Sequence, residues 1–156
     1  MDITNIASFA EIISAIAVVV SLIFVGLEIR KNTQTTEAAT FQASVAHDLE
    51  LLLKMGDDPK IANTFFTYRD RPDELSEEEQ FQGAHLMAAT IRHVENLYLQ
   101  YKKGMLSEDS WNTRKPLVVS IIKSKGFAKN TEVHYAGFYD GDFMKYAKEQ
   151  QGQSGA

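Results

Sequence analysis

The chain has 156 residues and a formal net charge of −5 at pH 7, a length that suits one small domain plus one anchoring segment. It contains no cysteine, which excludes disulfides, cysteine-ligated metal centres and thiol catalysis. The acidic excess argues against nucleic acid as a partner. Nine Phe, six Tyr and one Trp indicate that the polar part of the chain folds around a core.

A long apolar segment lies near the amino terminus. The run from Ile12 to Leu27 is interrupted only by Ser14, Ser21 and Gly26. A hydrocarbon core about 30 Å thick needs roughly 20 residues of helix, and apolar residues on both sides extend the run to about residues 6–29. The segment therefore predicts a single transmembrane helix.

Three other structures are possible for this segment. A cleaved signal peptide needs a basic start and a small-residue cleavage site, whereas the chain begins with the acidic MDITN. An interfacial helix needs a charged face through its middle, which the segment lacks. A buried core helix remains an alternative, although the many Val and Ile residues suit lipid better than a half-exposed surface.

The basic residues predict the orientation of this span. All sixteen Lys and Arg lie after position 29, and basic residues that flank a span favour the cytoplasmic side. The amino terminus is therefore expected outside, and the remainder of the chain in the cytoplasm.

Polar residues recur every seven positions along the span and its continuation. These are Ser14, Ser21, Glu28, Thr35 and Gln42, with Ala17 on the same face. A seven-residue repeat is typical of a coiled-coil seam, and small or hydroxyl residues allow close helix contacts in lipid. The stripe predicts either the seam of a homo-oligomer or the lining of a pore. The alternative is that the serines bond to carbonyls of their own helix.

Beyond the span, the pattern predicts only helices. The first helix is expected to continue to about Met55 and to end at Gly56. Asp58-Pro59 should start a short helix that ends near Tyr68. Ser76, with Glu79 three residues on, has the form of a capping box and should start a helix from Glu77 to about Lys103.

The carboxy-terminal third is predicted as shorter helices. Ser107 caps a helix that Pro116 should kink or split, and the run LVVSII within it is read as helix rather than strand. The expected later features are a break at Gly126, a short helix from about Phe127 to Tyr135, and a last helix, capped by Asp140 or Asp142, to about Glu149. The predicted organisation is a transmembrane anchor (1–31), a cytoplasmic helical domain (32–149) and a disordered tail (150–156).

One helix of the predicted bundle carries a dense polar group, Arg92, His93, Glu95 and Asn96. No histidine of the chain lies in a Glu-x-x-His or His-Glu-x-x-His motif, so no metal or other cofactor is predicted. We interpret the group as a structural polar network that holds neighbouring helices in register. A small-ligand or catalytic site centred on His93 and Glu95 is the alternative.

Three segments, SLIFVGLEIRKNTQTTEAATFQA, IRHVENLYLQYKKGMLSEDSW and FYDGDFMKYAKE, resemble a widespread family of small, uncharacterised bacterial membrane proteins. The resemblance covers nearly the whole chain in the same order. It implies one amino-terminal span and an all-helical cytoplasmic domain, and it carries over no activity, cofactor or catalytic residue. The segment after Pro116, usually richer in Trp and Arg in that family, departs from the pattern.

The sequence thus predicts an all-α protein of the bacterial inner membrane, with a single span that continues into a long helix and then a small helical bundle. The expected function is that of a non-enzymatic, self-associating scaffold or accessory protein, and a homo-oligomeric ion channel is the alternative. The expected partners are further copies of the chain and the lipid bilayer, and another membrane protein is a further candidate. No nucleic-acid partner is expected.

Overall fold

The computed structural model of the protein describes residues 3–135 and 137–152, with side chains from residue 10 onward. This part of the chain is built from helices and contains no strand, which confirms the all-α fold. The α-helices are α1 (Ile3–Asp57), α2 (Pro59–Asp70), α3 (Glu77–Lys102), α4 (Glu108–Ile122), α5 (Lys125–Lys129) and α6 (Gly141–Gly152). A 3₁₀ turn covers Pro72–Glu74, and a π-helical turn covers Asn130–His134.

The chain forms two compact units that divide within α1, between Ala39 and Thr40. The first unit is a single helical segment. Its window of highest hydropathy averages 2.7 over 18 residues, none of them buried. It is long and apolar enough to cross a membrane, as the sequence predicts.

The second unit is a helical bundle arranged around α3. This helix contacts α2, α4, α5 and α6. Its inward stripe, Met87, Ile91, Val94 and Leu97, is fully buried. The other helices contribute further fully buried side chains to the same core, namely Tyr68, Val118, Ile122, Phe127 and Phe143. The broad apolar face of α3 is thus covered from several sides.

Polar caps start the helices where the sequence places them. Asp58 accepts a hydrogen bond from the Lys60 N–H at 2.8 Å, and Ser76 forms the complete capping box with Glu79. Asp140 rather than Asp142 caps α6, since its Oδ1 accepts from the Asp142 and Phe143 N–H groups at 2.9 and 3.2 Å. Each cap satisfies amide groups that the first helical turn leaves unpaired.

Of the two expected breaks in the helices, the one at Gly126 is wrong, and the kink or split expected at Pro116 is not a split. Pro116 does not split α4, which runs from Glu108 to Ile122. Because Asn112 and Pro116 are both exposed, water can solvate the carbonyl that loses its partner. Gly126 lies inside α5, and the break instead comes at Lys123–Ser124, where Ser124 Oγ accepts from the Phe127 N–H at 3.1 Å. LVVSII is helical, as predicted.

The last helix is longer than predicted. We expect α6 to end near Glu149 and residues 150–156 to form a disordered tail, but the helix continues to Gly152. The Gln151 side chain donates a hydrogen bond to the Ile122 carbonyl at 3.0 Å, which ties the final turn to the end of α4. The rest of the predicted tail, residues 153–156, lies outside the described residues.

Candidate functional site

The predicted seam lies on α1 with every member exposed. Ser14, Ala17, Ser21, Glu28, Thr35 and Gln42 are all accessible on the chain as described. Ser21 Oγ donates to the Ala17 carbonyl at 2.8 Å, and Thr35 Oγ1 donates to the Lys31 carbonyl at 3.0 Å. These two hydroxyl protons therefore bond within the helix, as in the alternative reading, while the oxygen lone pairs can still accept a hydrogen bond from another chain.

The apolar residues of the span are also uncovered. From Ile12 to Ile29, the large aliphatic and aromatic side chains are between 52% and 67% exposed. Contiguous apolar surface of this extent is rare on a soluble monomer and marks contact with a membrane or with another protein.

The part of α1 that belongs to the second unit places its polar face inward. Ser44 is only 5% exposed, and His47 and Asp48 are half-buried against the bundle. By contrast, Leu49, Leu52 and Leu53 are 53–64% exposed. A helix at the surface of a soluble domain normally buries its leucines and exposes its polar residues, so this segment has the reverse arrangement.

Asp48 joins α1 to two other helices of the bundle. Its Oδ2 accepts a hydrogen bond from Arg114 Nη1 at 2.5 Å, and its Oδ1 lies 2.8 Å from His93 Nε2. The His93 N–H is not aligned with Oδ1 well enough for a hydrogen bond, so this second contact is a close polar approach. The Arg114 side chain is only 11% exposed, and the Asp48 carboxylate is the negative partner of its guanidinium.

His93 packs face to face with His47. The two ring centroids are 4.5 Å apart and the planes are 29° from parallel. Burial lowers the pKa of His93 below its ordinary value of 6.5. The negative charge of Asp48 raises this pKa, and the nearby His47 and Arg114 lower it, but burial is the largest effect. The buried imidazole is therefore favoured in its neutral form at neutral pH.

Glu95 belongs to a separate polar network. Its carboxylate is 4% exposed and accepts from Arg92 Nη1 at 2.6 Å and from the Asp140 backbone N–H at 2.5 Å. The Arg92 guanidinium also lies over the Phe138 ring, 4.7 Å from its centroid. This network fastens the segment that leads into α6 to the middle of α3.

A cleft of about 390 Å³ opens between α3 and the adjoining part of α1. It is lined by Ala43, Ser44, His47, Ala89, Arg92, His93 and Asn96. Asn96 is exposed. In the part of the chain that the structure describes, no group of three or more His, Asp or Glu is arranged to hold a metal ion.

The four predicted network residues divide between these features. Arg92 and Glu95 bond to each other, and His93 faces α1. Arg92, His93 and Asn96 also line the cleft, whereas Glu95 does not. Sequence reasoning missed Ser44, His47, Asp48 and Arg114. One available signal was the spacing of Ser44, His47 and Asp48, which puts three polar groups on one helix face. Nothing in the sequence indicated that this face, rather than the leucine face, would pack against the bundle.

No protein-family model, curated protein or solved structure matches this chain. The resemblance to the family of small bacterial membrane proteins therefore stays a prediction.

Proposed function

We propose that this chain is a single-span protein of the bacterial inner membrane that self-associates along α1 and serves as a non-enzymatic scaffold or accessory subunit. The observation that carries the proposal is the uncovered apolar surface of α1. It includes the residues from Ile12 to Ile29 and the leucines at positions 49, 52 and 53. Lipid would cover the first set, and further copies of the same helix would cover the second.

The charge distribution supports one orientation in the membrane. The ten residues before Glu11 contain no Lys or Arg, and Arg30 and Lys31 immediately follow the apolar segment. Basic residues close to a span favour the cytoplasmic face, so the helical bundle would lie in the cytoplasm and the amino terminus outside.

The repeat along α1 supports a seam between copies. Leu49 follows Gln42 by seven residues and continues the repeat of Ser14, Ser21 and Glu28, while Leu52 lies five such steps after Ala17. Copies anchored in parallel in the same membrane would meet along identical faces, the geometry of a parallel coiled coil. Small residues would form the contact within lipid and leucines the contact in water.

Membrane insertion and orientation can be tested by labelling, because the chain has no native cysteine. The cysteine of Thr4→Cys should react with an impermeant maleimide added to intact spheroplasts, whereas that of Lys123→Cys should react only after lysis. After carbonate extraction, the protein should remain in the membrane pellet. Recovery in the soluble fraction, or labelling of Lys123→Cys from outside, would contradict this part of the proposal.

Self-association can be tested with single cysteines placed around α1. Ser14→Cys, Ala17→Cys and Ser21→Cys should form disulfide-linked dimers under mild oxidation, and Ile12→Cys and Ile23→Cys, on the opposite side of the helix, are the matched controls. The double variant Leu49→Glu/Leu52→Glu should lower the oligomer mass in nanodiscs while its helical circular dichroism stays unchanged. Equal crosslinking around the helix, together with a monomeric mass for the native chain, would overturn the seam.

A bilayer conductance measurement distinguishes a scaffold from an oligomer in which the polar residues of α1 line a pore. Glu28 would then form a ring that favours cations, and the purified protein would conduct in planar bilayers with a selectivity that Glu28→Gln changes. For a scaffold, we expect no conductance, and Glu28→Gln should affect assembly alone.

A further inference from the structure

The cleft between α3 and the adjoining part of α1 offers mainly hydrogen-bond donors. Arg92, Asn96, His47, His93 and Ser44 line it together with two alanines, and its lining contains no Asp or Glu. The guanidinium and the amide carry several N–H groups, each imidazole carries at least one, and the serine carries an O–H. A cleft with this lining suits a ligand that supplies acceptors.

The two nearby carboxylates are already engaged on both oxygens. Asp48 faces Arg114 and His93, and Glu95 accepts from Arg92 and from the Asp140 N–H. Arg92 uses Nη1 to bond Glu95, so a ligand in the cleft would be bound by the other N–H groups of its guanidinium and by the Asn96 amide.

Three buried atoms of the cleft residues have no hydrogen-bond partner among the described residues. They are Ser44 Oγ, His47 Nε2 and His93 Nε2, the last of which lies 2.8 Å from Asp48 Oδ1. Only 5% of the surface of Ser44 is exposed. Burying a polar group without a partner is unfavourable, and most such groups in folded proteins are satisfied by protein, water or ligand. Their presence beside a donor-rich cleft is a second, independent sign of a ligand.

We propose that this cleft binds a small molecule through one oxyanion group, a carboxylate or a phosphate. Arg92 and Asn96 would contact the group at the rim, and Ser44 and His47 would contact it from the floor. In the proposed complex, a change of rotamer at Ser44 and rotation of the His47 ring would turn each polar atom toward the ligand. The site does not depend on self-association, because all its residues belong to the second compact unit of one chain.

The test uses the full-length chain in nanodiscs, with inorganic phosphate and acetate as probes at fixed pH and with chloride holding the ionic strength constant. Imidazole C–H resonances report binding by NMR. We expect saturable shifts at His47 and His93, while the exposed His85 and His134 stay unmoved. Saturation by acetate alone would identify a carboxylate site, and saturation by phosphate alone a phosphate site.

Three variants establish whether the anion occupies this cleft. Ser44→Ala and Asn96→Ala should each weaken the binding about threefold to tenfold, the range for one lost hydrogen bond. Thr64→Val is the matched control, because Thr64 Oγ1 is also buried without a partner but lies on α2, outside the cleft. The proposal is overturned if neither anion saturates, if all four histidines shift alike, or if Thr64→Val weakens binding as much as Ser44→Ala.

Discussion

Gly83 lies so close to Tyr68 that a Cβ added to the glycine would be 2.6 Å from the tyrosine Cβ. Tyr68 is fully buried. On α5, a Cβ added to Gly126 would be 2.6 Å from the Tyr68 carbonyl oxygen and 2.9 Å from the Arg69 Cα. Glycine at these two positions thus lets α3 and α5 approach α2 more closely than any side chain would allow.

Replacing Gly126 by alanine should destabilise the bundle by about 1–3 kcal/mol, the usual cost of overpacking. The new methyl group would meet backbone atoms of α2, which cannot move aside as a flexible side chain can. Denaturant unfolding of the detergent-solubilised protein, followed by circular dichroism, measures the change. Gly141→Ala is the matched control, because a Cβ there meets nothing within 4 Å. Equal effects of the two substitutions would contradict the close approach.

Asn130→Ala should lower the free energy of unfolding by about 1–3 kcal/mol, the cost of leaving buried polar groups unsatisfied. Asn130 is fully buried. Its Nδ2 donates to the Ala84 carbonyl and its Oδ1 accepts from the Tyr139 hydroxyl, both at 2.7 Å. The exposed Asn112→Ala serves as control. A double-mutant cycle with Tyr139→Phe should give a coupling energy clearly different from zero, and strict additivity would count against this hydrogen bond.

Features of the fold that depend on neighbouring residues were predictable from the sequence. The caps at Asp58, Ser76 and Ser107 are local, since each side chain bonds an amide two or three residues away. The role of Gly126 was not predictable, because the glycine is required by the backbone of α2, far away in sequence. The end of α6 was misplaced for a similar reason, since Gln151 bonds to the Ile122 carbonyl on another helix.

The candidate site was only partly predictable. His93 and Glu95 stand out in the sequence because, with Arg92 and Asn96, they form a polar group within the apolar stripe of α3. Both are buried. Their partners Asp48 and Asp140 lie on other elements, and no local rule pairs residues across that separation. Helical spacing alone does not indicate which face of α1 packs against the bundle. In the structure, Ser44, His47 and Asp48 lie on that face, while Leu49, Leu52 and Leu53 are exposed.

Stability should fall as the pH is lowered from about 7 through the ordinary histidine pKa of 6.5. The pKa of His93 is lowered by burial, so in this range the unfolded chain binds more protons than the folded one, and proton uptake favours unfolding. The effect is complete once the pH passes below the folded-state pKa. The groups facing His93 are His47 and Asp48 from α1 and Arg114 from α4.

The measurement is the melting temperature at several pH values between 7.5 and 5 for the native chain, for His93→Gln and for the control His85→Gln at an exposed position. We expect the melting temperatures of the native chain and of the His85→Gln control to fall by similar amounts as the pH is lowered. The His93 variant should show a clearly weaker dependence, even if its melting temperature at pH 7.5 is lower. A pH dependence that survives unchanged in His93→Gln would assign the effect to another group.

Replacing Asp48 by alanine should destabilise the attachment of the 40–57 segment of α1 to the bundle. Arg114 is 11% exposed and has its Asp48 contact at 2.5 Å, so the substitution leaves a largely buried cation without that partner. Removing one member of such a pair is more damaging than replacing both, and a loss of about 1–3 kcal/mol is expected because the carboxylate itself is partly exposed.

The double variant Asp48→Ala/Arg114→Met tests this explanation. Methionine keeps much of the arginine stem and removes the charge, so the pair of substitutions should recover part of the stability lost by Asp48→Ala alone. Glu50→Ala, exposed on the same helix, should have little effect. Hydrogen exchange within residues 40–57 should rise in Asp48→Ala and fall back in the double variant. If the double variant is no more stable than the single one, the buried charge is not what makes Asp48 necessary.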